Sequence, residues 1–296
     1  MKIGLHCNNF TWPGGNATMG ATLGSLARRC EAAGFYSFDV MDHFFQIGGP
    51  EHAEREMNEA YTTLGFIAGV TERMKLGTVV TGVTYREPGF LVKQVTSLDV
   101  LSGGRAWFGI GAAWFEREHL GLGFAFPPIK ERFERLEETL QIARQMWSGE
   151  VKAYAGKHYR LAETLCSPMP VQEGGPPVMI GGAGERKTLR LVARYASACN
   201  IGAPDSDTMR HKLDILREHC QTEGRSYDAI EKTTNTNMLV RADGVNGAET
   251  PAQLVARLRE LRALGMTWVI GRIANAHEPG VIEMIGREVV PAVAEL

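Results

Sequence analysis

The stretch Val178-Met-Ile-Gly-Gly-Ala-Gly-Glu-Arg-Lys-Thr-Leu-Arg-Leu-Val-Ala-Arg-Tyr-Ala196 decides the fold of this chain. A short apolar run predicts a strand, the residues at 181–184 predict a glycine-rich loop, and an amphipathic helix is predicted to begin at Glu185. This order brings free backbone N–H groups and the positive end of a helix dipole together, and glycines let a bulky anion approach the backbone. The stretch therefore predicts a phosphate-binding loop, while tight strand–helix packing is the alternative use of such glycines.

The rest of the chain repeats the same alternation of short apolar runs and helical patterns. Strands are predicted at Ile3–Cys7, Tyr36–Asp42, Lys75–Thr81, Arg105–Gly111, Val178–Gly181, Ala198–Ile201, Thr234–Val240 and Trp268–Gly271. Helices are predicted at Leu23–Ala33, Tyr61–Val70, Pro88–Leu101, Lys130–Trp147, Glu185–Ala196, Asp207–Glu223, Pro251–Leu264 and Pro279–Ala292. Eight such pairs in 296 residues predict an α/β fold, a closed (β/α)8 TIM barrel that forms a single domain over residues 1–296.

An open, doubly wound sheet is the alternative architecture, and its nucleotide loop normally follows the first strand. Residues Asn8–Trp12, which follow the first predicted strand, contain no GxGxxG pattern, so the barrel is preferred. Two insertions interrupt the regular spacing, namely a polar and aromatic loop at Phe115–Ile129 after strand four and the segment Glu150–Val171 before strand five. Alternating residues around Gly156-Lys157 predict a small hairpin in the second insertion.

The overall composition indicates which classes of binding partner to expect. Hydrophobic residues make up 44% and charged residues 22% of the chain, and its formal net charge is −2, which predicts a globular protein with no nucleic-acid and no membrane partner. Five cysteines are scattered without a CxxC pair, which predicts reduced thiols, a cytoplasmic location and no metal site. The first residues show no secretory signal pattern.

In a barrel, the residues that follow each strand form the active face. Here the second predicted strand ends in Asp42-His43, the third in Val79-Val80-Thr81, and the fourth in a run that includes Gly111. Together with the glycine loop at 181–184, these residues line one half of the barrel mouth. They supply one titratable pair, several small residues and a phosphate site, which is the pattern expected for a wide, flat ligand held against the backbone.

Four segments together resemble the bacterial-luciferase-like superfamily: Asp42-His43-Phe44, Leu76–Thr81, Arg105–Gly111 and Ile180–Arg186. They lie in the family's order and at its separations, and the similarity extends over nearly the whole chain. They are most similar to the branch of oxidoreductases that uses the deazaflavin F420. The resemblance implies a TIM barrel that binds F420 and passes a hydride between C5 of the deazaflavin and a small organic substrate.

The resemblance also assigns residues by position. His43 would lie beside the deazaflavin ring as the catalytic group that stabilises charge or moves a proton, and Asp42 would help hold it in place. Val79-Val80 matches a non-proline cis peptide that backs the ring in the family. The cofactor-binding residues implied in this way are Asp42, His43, Val79, Val80, Thr81, Gly111, Gly181, Gly182, Ala183, Gly184 and Arg186.

One position departs from the family pattern. Some sugar-oxidising members carry a glutamate proton donor after strand four, and Trp114 stands at the corresponding position here. A tryptophan cannot transfer protons, so glucose-6-phosphate-type chemistry is in doubt. Three residues near Trp114 in sequence could take the part of the proton donor, although we expect each to lie in a solvated loop: Glu116, Glu118 and His119. Aromatic residues instead predict an aromatic-rimmed pocket, formed by Trp12, Trp114, Phe115, Phe124 and Phe126.

Three alternatives remain open from the sequence. The same barrel could use reduced FMN and oxygen as a luciferase-like monooxygenase, since FMN also places a phosphate on the glycine loop. A non-redox isomerase or aldolase would need a lysine or a carboxylate base at a strand end, and no lysine stands there. A binder that keeps the fold without catalysis is the third. The identity of the substrate and the direction of the reaction are not encoded in any of these patterns.

The second and third helices predict a homodimer, which is also the usual assembly of related barrels. An outer barrel helix needs only one apolar stripe, yet these two are apolar over more of their circumference. Their apolar residues are Tyr61, Leu64, Phe66, Ile67, Val70, Phe90, Leu91, Val92, Val95, Leu98, Val100 and Leu101. A surplus of apolar surface on neighbouring helices predicts a two-fold interface through helices two and three.

Overall fold

A computed structural model describes residues 1–48 and 50–296 of the chain. Its strands are β1 (Lys2–Cys7), β2 (Ser37–Val40), β3 (Lys75–Thr78), β4 (Thr81–Gly82), β5 (Phe108–Gly111), β6 (Tyr154–Ala155), β7 (Arg160–Leu161), β8 (Val178–Gly181), β9 (Ala198–Asn200), β10 (Glu231–Met238) and β11 (Trp268–Ile273). Its α-helices are α1 (Asn16–Ala32), α2 (Ala60–Ala68), α3 (Pro88–Leu101), α4 (Glu116–Leu122), α5 (Ile129–Trp147), α6 (Thr188–Tyr195), α7 (Ser206–Thr222), α8 (Pro251–Ala263), α9 (Val281–Glu288) and α10 (Val290–Ala294).

The main sheet is parallel and closes on itself. Its nine strands run in the order β3-β2-β1-β11-β10-β9-β8-β5-β4. A parallel bridge between Leu76 in β3 and Ala106, just before β5, joins the two ends. Since β3 and β4 are two parts of one strand interrupted at Val79-Val80, the sheet has eight barrel strands with helices between them. The predicted α/β TIM barrel is confirmed.

Two predicted elements are divided in the structure. The third strand, predicted to be continuous over Lys75–Thr81, is interrupted where the Val79–Val80 peptide bond is cis, as the resemblance implied. The last helix, predicted over Pro279–Ala292, is instead the pair α9 and α10. Pro291 lies in the first turn of α10, and its missing N–H cannot continue the hydrogen-bond ladder of α9.

The segment after β5 contains a helix that we did not predict. Residues Phe115–Ile129, expected to form a loop, include the two-turn helix α4, which ends at Gly123 in a left-handed conformation with φ 78°. Two acidic residues, Glu116 and Glu118, lie in its first turn, where their negative charges interact favourably with the positive end of the helix dipole. Seven residues are too few to show a clear 3.6-residue period, which explains the missed helix.

The segment before β8 forms the predicted hairpin from β6 and β7, in which Tyr154 pairs with Leu161. The buried carboxylate of Glu138 in α5 accepts hydrogen bonds from the backbone N–H groups of Lys157, His158 and Tyr159. One side chain therefore ties the hairpin to the outer face of the barrel, because a buried carboxylate needs such donors.

Tryptophans fill the barrel below the site. The rings of Trp107 and Trp268 meet edge to face with centroids 5.7 Å apart. Glycines on neighbouring strands make room for them, since a Cβ on Gly77 or on Gly109 would lie 2.5 Å from the Trp107 ring. This layer, which also contains Val79, Met179 and Ile270, fills the interior of the barrel.

Three further observations concern the whole chain. All five cysteines are buried and unpaired. Across residues 1–48 and 50–296, the structure contains no helix with the length and apolar character needed to cross a membrane. Most apolar residues of α2 and α3 are buried within the chain itself, which leaves Phe66, Phe90 and Leu101 as their large exposed hydrophobic side chains.

Candidate active site

Two cavities open at the carboxyl ends of the barrel strands. The first has a volume of about 480 Å³ and lies over β3, β4, β5 and β8. The second has a volume of about 570 Å³ and lies over β1, β10 and β11. His6 and Arg272 line both, so they stand at the boundary between the two. We call these the glycine-loop cavity and the second cavity.

Most of the predicted site residues meet in the glycine-loop cavity. Its lining includes Asp42, His43, Val79, Val80, Thr81, Gly111, Gly181, Gly182 and Gly184. Ala183 and Arg186 do not contribute to this lining. Arg186 lies exposed in the turn before α6, so the structure brings together nine of the eleven predicted residues and leaves these two outside.

Glycines allow the cis pair to lie in the wall of this cavity. A Cβ at Gly181 would lie 2.7 Å from Cγ2 of Val80, and one at Gly111 would lie 3.0 Å from the same atom. Any other residue at either position would push Val80 out of place. The result is a smooth wall of backbone and small side chains, the kind of surface against which a flat ring can pack.

The glycine loop offers free donors, but its helix begins later than predicted. α6 starts at Thr188 and not at Glu185. The cause is a tertiary contact: the carbonyl of Glu185 accepts a hydrogen bond from Nε2 of His219 in α7, 2.8 Å away, and the N–H of Leu189 bonds to the carbonyl of Gly184. Among the residues that the structure describes, no protein acceptor is found for the N–H groups of Ala183 and Gly184.

His43 is positioned by Glu118 and not by Asp42. Nδ1 of His43 lies 2.6 Å from Oε1 of Glu118. Since a carboxylate accepts, Nδ1 carries the proton in the neutral ring, and Nε2 holds the lone pair. Within residues 1–48 and 50–296, Nε2 of His43 has no hydrogen-bond partner, although the residue lines the cavity. His43 can therefore accept or return one proton at Nε2.

Glu118 is a buried carboxylate, which corrects the expectation of a solvated loop. It also accepts hydrogen bonds from the backbone N–H groups of Phe44, at 2.8 Å, and Phe45, at 3.2 Å, and from the hydroxyl of Tyr85. Burial acts to raise the pKa of Glu118, but the bonds from His43, Tyr85 and Phe44 outweigh it and hold that pKa below its ordinary value. The group therefore stays ionised opposite His43.

Asp42 pairs with a different residue from the predicted one. Both of its oxygens bond to the Arg86 guanidinium, at 2.6 and 2.9 Å, and Arg86 also bonds to Glu59. Burial raises the pKa of Asp42, while Arg86 opposes that rise. Among the described residues no hydrogen bond joins Asp42 to His43, and the imidazole that Asp42 was predicted to help hold is instead bonded to Glu118.

The aromatic rim forms only in part. Trp114 lines the glycine-loop cavity with its ring edge-to-face against His43, and Trp12 lines the second cavity. Phe115, Phe124 and Phe126 line neither cavity. Two of the other acid–base candidates are excluded by their surroundings. Glu116 is exposed, and both ring nitrogens of His119 are bonded, to Thr84 and to the carbonyl of Phe115.

The sequence named Glu118 only as a possible proton donor, and it did not identify Arg86, His6 or Arg272 as site residues. A signal existed for Glu118, because acidic residues before Leu122-Gly123 match the start and end of a short helix. A signal also existed for Arg272, which directly follows the strand predicted at Trp268–Gly271. In the described part of the chain, no group of three or more His, Cys, Asp or Glu side chains could hold a metal ion.

Comparisons with known proteins agree with this fold. Residues 1–278 match the family model described as luciferase-like monooxygenase. An F420-dependent glucose-6-phosphate dehydrogenase of Kineococcus radiotolerans is 29% identical over 88% of this chain and 73% of its own length. The enzyme of the same name from Tsukamurella paurometabola is 30% identical over 71% of this chain, which spans only 62% of that relative.

A solved structure gives the same architecture at lower identity. A monooxygenase from Streptomyces bottropensis superimposes with a TM-score of 0.84, at 17% identity, over 99% of this chain and 100% of its own. That likeness concerns the fold alone. The family match covers almost the whole chain, and we conclude that the protein belongs to the luciferase-like monooxygenase family.

Proposed function

We propose that the protein is an F420-dependent oxidoreductase that transfers a hydride between C5 of the deazaflavin and a small organic substrate. One observation carries the proposal: the glycine loop, the cis Val79–Val80 wall and the free Nε2 of His43 all border one cavity of about 480 Å³. The F420-dependent relatives at 29% and 30% identity support the choice of cofactor.

The residues present fit such a cofactor. The N–H groups of Ala183 and Gly184 are free to bond a phosphate, and the glycines leave room for it. Val80, between Gly111 and Gly181, supplies a flat apolar surface for a ring. When bound there, F420 would supply a carbon that accepts or gives a hydride.

His43 supplies the matching proton chemistry. When an alcohol carbon loses a hydride, its O–H proton must also leave, and Nε2 of His43 can take it. In the opposite direction the imidazolium returns a proton to the oxygen of a carbonyl. Glu118 orients the ring for both steps through Nδ1, and its carboxylate stabilises the imidazolium that forms when the proton is taken. The ring of Trp114 lies edge to face against this imidazole, with centroids 5.6 Å apart.

The alternative is an FMN-dependent monooxygenase, because that chemistry also belongs to the family. The experiment incubates the purified protein with oxidised F420 and a panel of alcohols, or with reduced F420 and a panel of aldehydes and ketones, and follows the deazaflavin absorbance. Parallel samples contain reduced FMN and oxygen. We expect substrate-dependent change with F420 only. Oxygen consumption coupled to substrate with FMN, and no change with F420, would replace the proposal with the alternative.

The proposal includes a setting for the enzyme. We place it in the cytoplasm as a homodimer, with the interface through α2 and α3. The buried, unpaired cysteines support a reducing compartment. The exposed Phe66, Phe90 and Leu101 support an interface on these helices, since large exposed apolar side chains favour contact with another surface.

A further inference from the structure

Arg272 is a cation without a counter-ion at the boundary of the two cavities. It lies in β11 and lines both of them. Among the described residues it forms no ion pair and no hydrogen bond, and its Nε is buried without a partner. Burial lowers the pKa of Arg272, and no acidic neighbour acts against that effect.

Two other arginines at this face of the barrel are paired with carboxylates, whereas the buried Arg132 bonds to the carbonyl of Ala113 and lines neither cavity. Arg86 is paired with Asp42 and Glu59. Arg257 is bonded to both oxygens of Glu249, at 2.7 and 2.6 Å. Asp42 and Glu249 are the acidic residues that line the two cavities in the described part of the chain, and both are already paired. The cavity walls therefore keep one uncompensated positive charge.

His6 adds a second unpartnered group beside Arg272. It is 2% exposed, and its Nδ1 has no hydrogen-bond partner. Leu5 of β1 is paired with Gly271 of β11, so His6 and Arg272 each follow that pair along adjacent parallel strands. Burial first, and then the charges of Arg272 and His43, lower the pKa of His6 to about 3, so the ring is neutral and can donate one N–H.

We infer that Arg272 and His6 form a subsite for a carboxylate of the substrate, and this inference rests on the proposed function. A buried charge without a partner is unfavourable, and a bound anion removes that cost. One guanidinium fork with one neutral donor matches a monoanionic carboxylate, which accepts two parallel bonds from arginine. The substrate class is thus a small carboxylic acid that carries the reacting alcohol or carbonyl group.

The position of the subsite also suits the reaction. Arg272 and His6 line the glycine-loop cavity together with His43. They also line the second cavity, which provides about 570 Å³ for the remainder of a substrate. When its carboxylate is held at this boundary, a small molecule can extend into either cavity. Its reacting carbon would then lie in the glycine-loop cavity, near His43 and the proposed position of the deazaflavin ring.

The test measures binding of simple anions by calorimetry, with and without F420. The probes are propanoate and benzoate, with propanamide and benzamide as neutral matches. Unaltered protein should bind the acids at least about tenfold more tightly than the amides. Arg272→Gln should remove that preference without changing affinity for F420, and Arg272→Lys should retain part of it. Arg287→Gln, an exposed arginine paired with Glu288, is the control.

Each alternative outcome is distinct. Equal binding of acids and amides, or an unchanged preference in Arg272→Gln, overturns the subsite. A loss of F420 affinity in Arg272→Gln with unchanged acid binding also overturns it, because Arg272 would then hold an anionic group of the cofactor. The titrations without F420 decide the subsite even if the unaltered protein fails to bind F420, a result that would contradict the proposed function alone.

Discussion

At the scale of single residues, the Glu118 carboxylate determines what His43 can do. It lies 2.6 Å from Nδ1, which leaves Nε2 as the nitrogen that borders the cavity. A hydrogen bond of this kind fixes both the tautomer and the ring orientation. Asp42 precedes His43 in the chain but forms its ion pair with Arg86. The pair that we propose for proton transfer is thus formed by residues 75 positions apart, not by neighbours.

We predict that His43→Ala lowers turnover with F420 by roughly 10²–10⁴-fold while the dissociation constant for F420 changes much less. The reason is that the ring moves a proton and contributes little to the phosphate site. Steady-state kinetics and a cofactor titration on the same preparation test this. A variant with normal turnover would show that His43 has only a structural role.

We also predict a pH-dependent effect of Glu118→Gln on stability. The folded pKa of Glu118 lies below its ordinary value, so its carboxylate contributes stability that is complete above the unfolded pKa of about 4.3 and is lost as pH falls through the folded value. Urea unfolding at pH 7 should show a loss of about 1–3 kcal/mol. The difference from unaltered protein should narrow below about pH 4.3.

The exposed residue Glu116 supplies the control for the unfolding measurements on Glu118→Gln. Glu116→Gln changes a carboxylate in the same first turn of α4 and should have little effect at either pH. A difference between Glu118→Gln and unaltered protein that stays constant from pH 7 down to about pH 2 would contradict an ionised Glu118 in the folded state.

The limits of the sequence are clear at this scale. His43, Val80 and the glycines could be placed because each follows a barrel strand, and the ends of parallel strands meet at one face. The partners of those residues could not be placed. Glu118 reaches the site through the packing of α4, and Arg86 reaches Asp42 through the direction of its side chain, neither of which a local pattern encodes.

At the scale of elements, the loop between β8 and α6 combines two features. Its N–H groups at Ala183 and Gly184 are free, and three residues separate it from the helix start at Thr188. The glycine pattern predicted the loop, but not the delayed helix, because the hydrogen bond from His219 to the Glu185 carbonyl comes from a distant helix. Element types were therefore predictable here, and boundaries set by tertiary contacts were not.

We predict that Gly184→Val weakens F420 binding by about tenfold or more without unfolding the protein. The closest atom to a new Cβ at this position would be Oγ1 of Thr188, at 2.9 Å, which is a side-chain atom that can move. The added methyl groups would instead occupy the space of the phosphate. A cofactor titration, with circular dichroism as the check on folding, measures this.

Gly20→Val serves as the matched control for that variant, because nothing lies within 4 Å of a Cβ at Gly20 in α1. Unchanged F420 affinity in Gly184→Val would rule out the loop as the phosphate site, whereas equal losses in the two variants would point to a general loss of structure.

At the scale of the whole molecule, the barrel buries most of the apolar surface that suggested a dimer. Residues such as Leu64, Ile67, Leu91 and Val95 are fully buried within one chain. The remaining candidates are the exposed Phe66, Phe90 and Leu101. The sequence overestimated the available surface because α2 and α3 pack on each other as well as on the strands, so each helix buries two sides.

We predict that light scattering gives twice the chain mass of 32.5 kDa at micromolar concentration, through a face that includes Phe90 and Leu101. Phe90→Asp should shift the mass toward that of one chain. Val151→Asp, at an exposed apolar residue outside α2 and α3, should leave the mass unchanged. A mass near 32.5 kDa for the unaltered protein would exclude the homodimer.

The central claim is that this chain binds F420 in the glycine-loop cavity. The most direct measurement is a calorimetric titration of the unaltered protein with F420 and, separately, with FMN. We expect saturable binding of one F420 per chain, at least about tenfold tighter than that of FMN. Binding of FMN as tight as that of F420, or no saturable binding of F420, would contradict the claim.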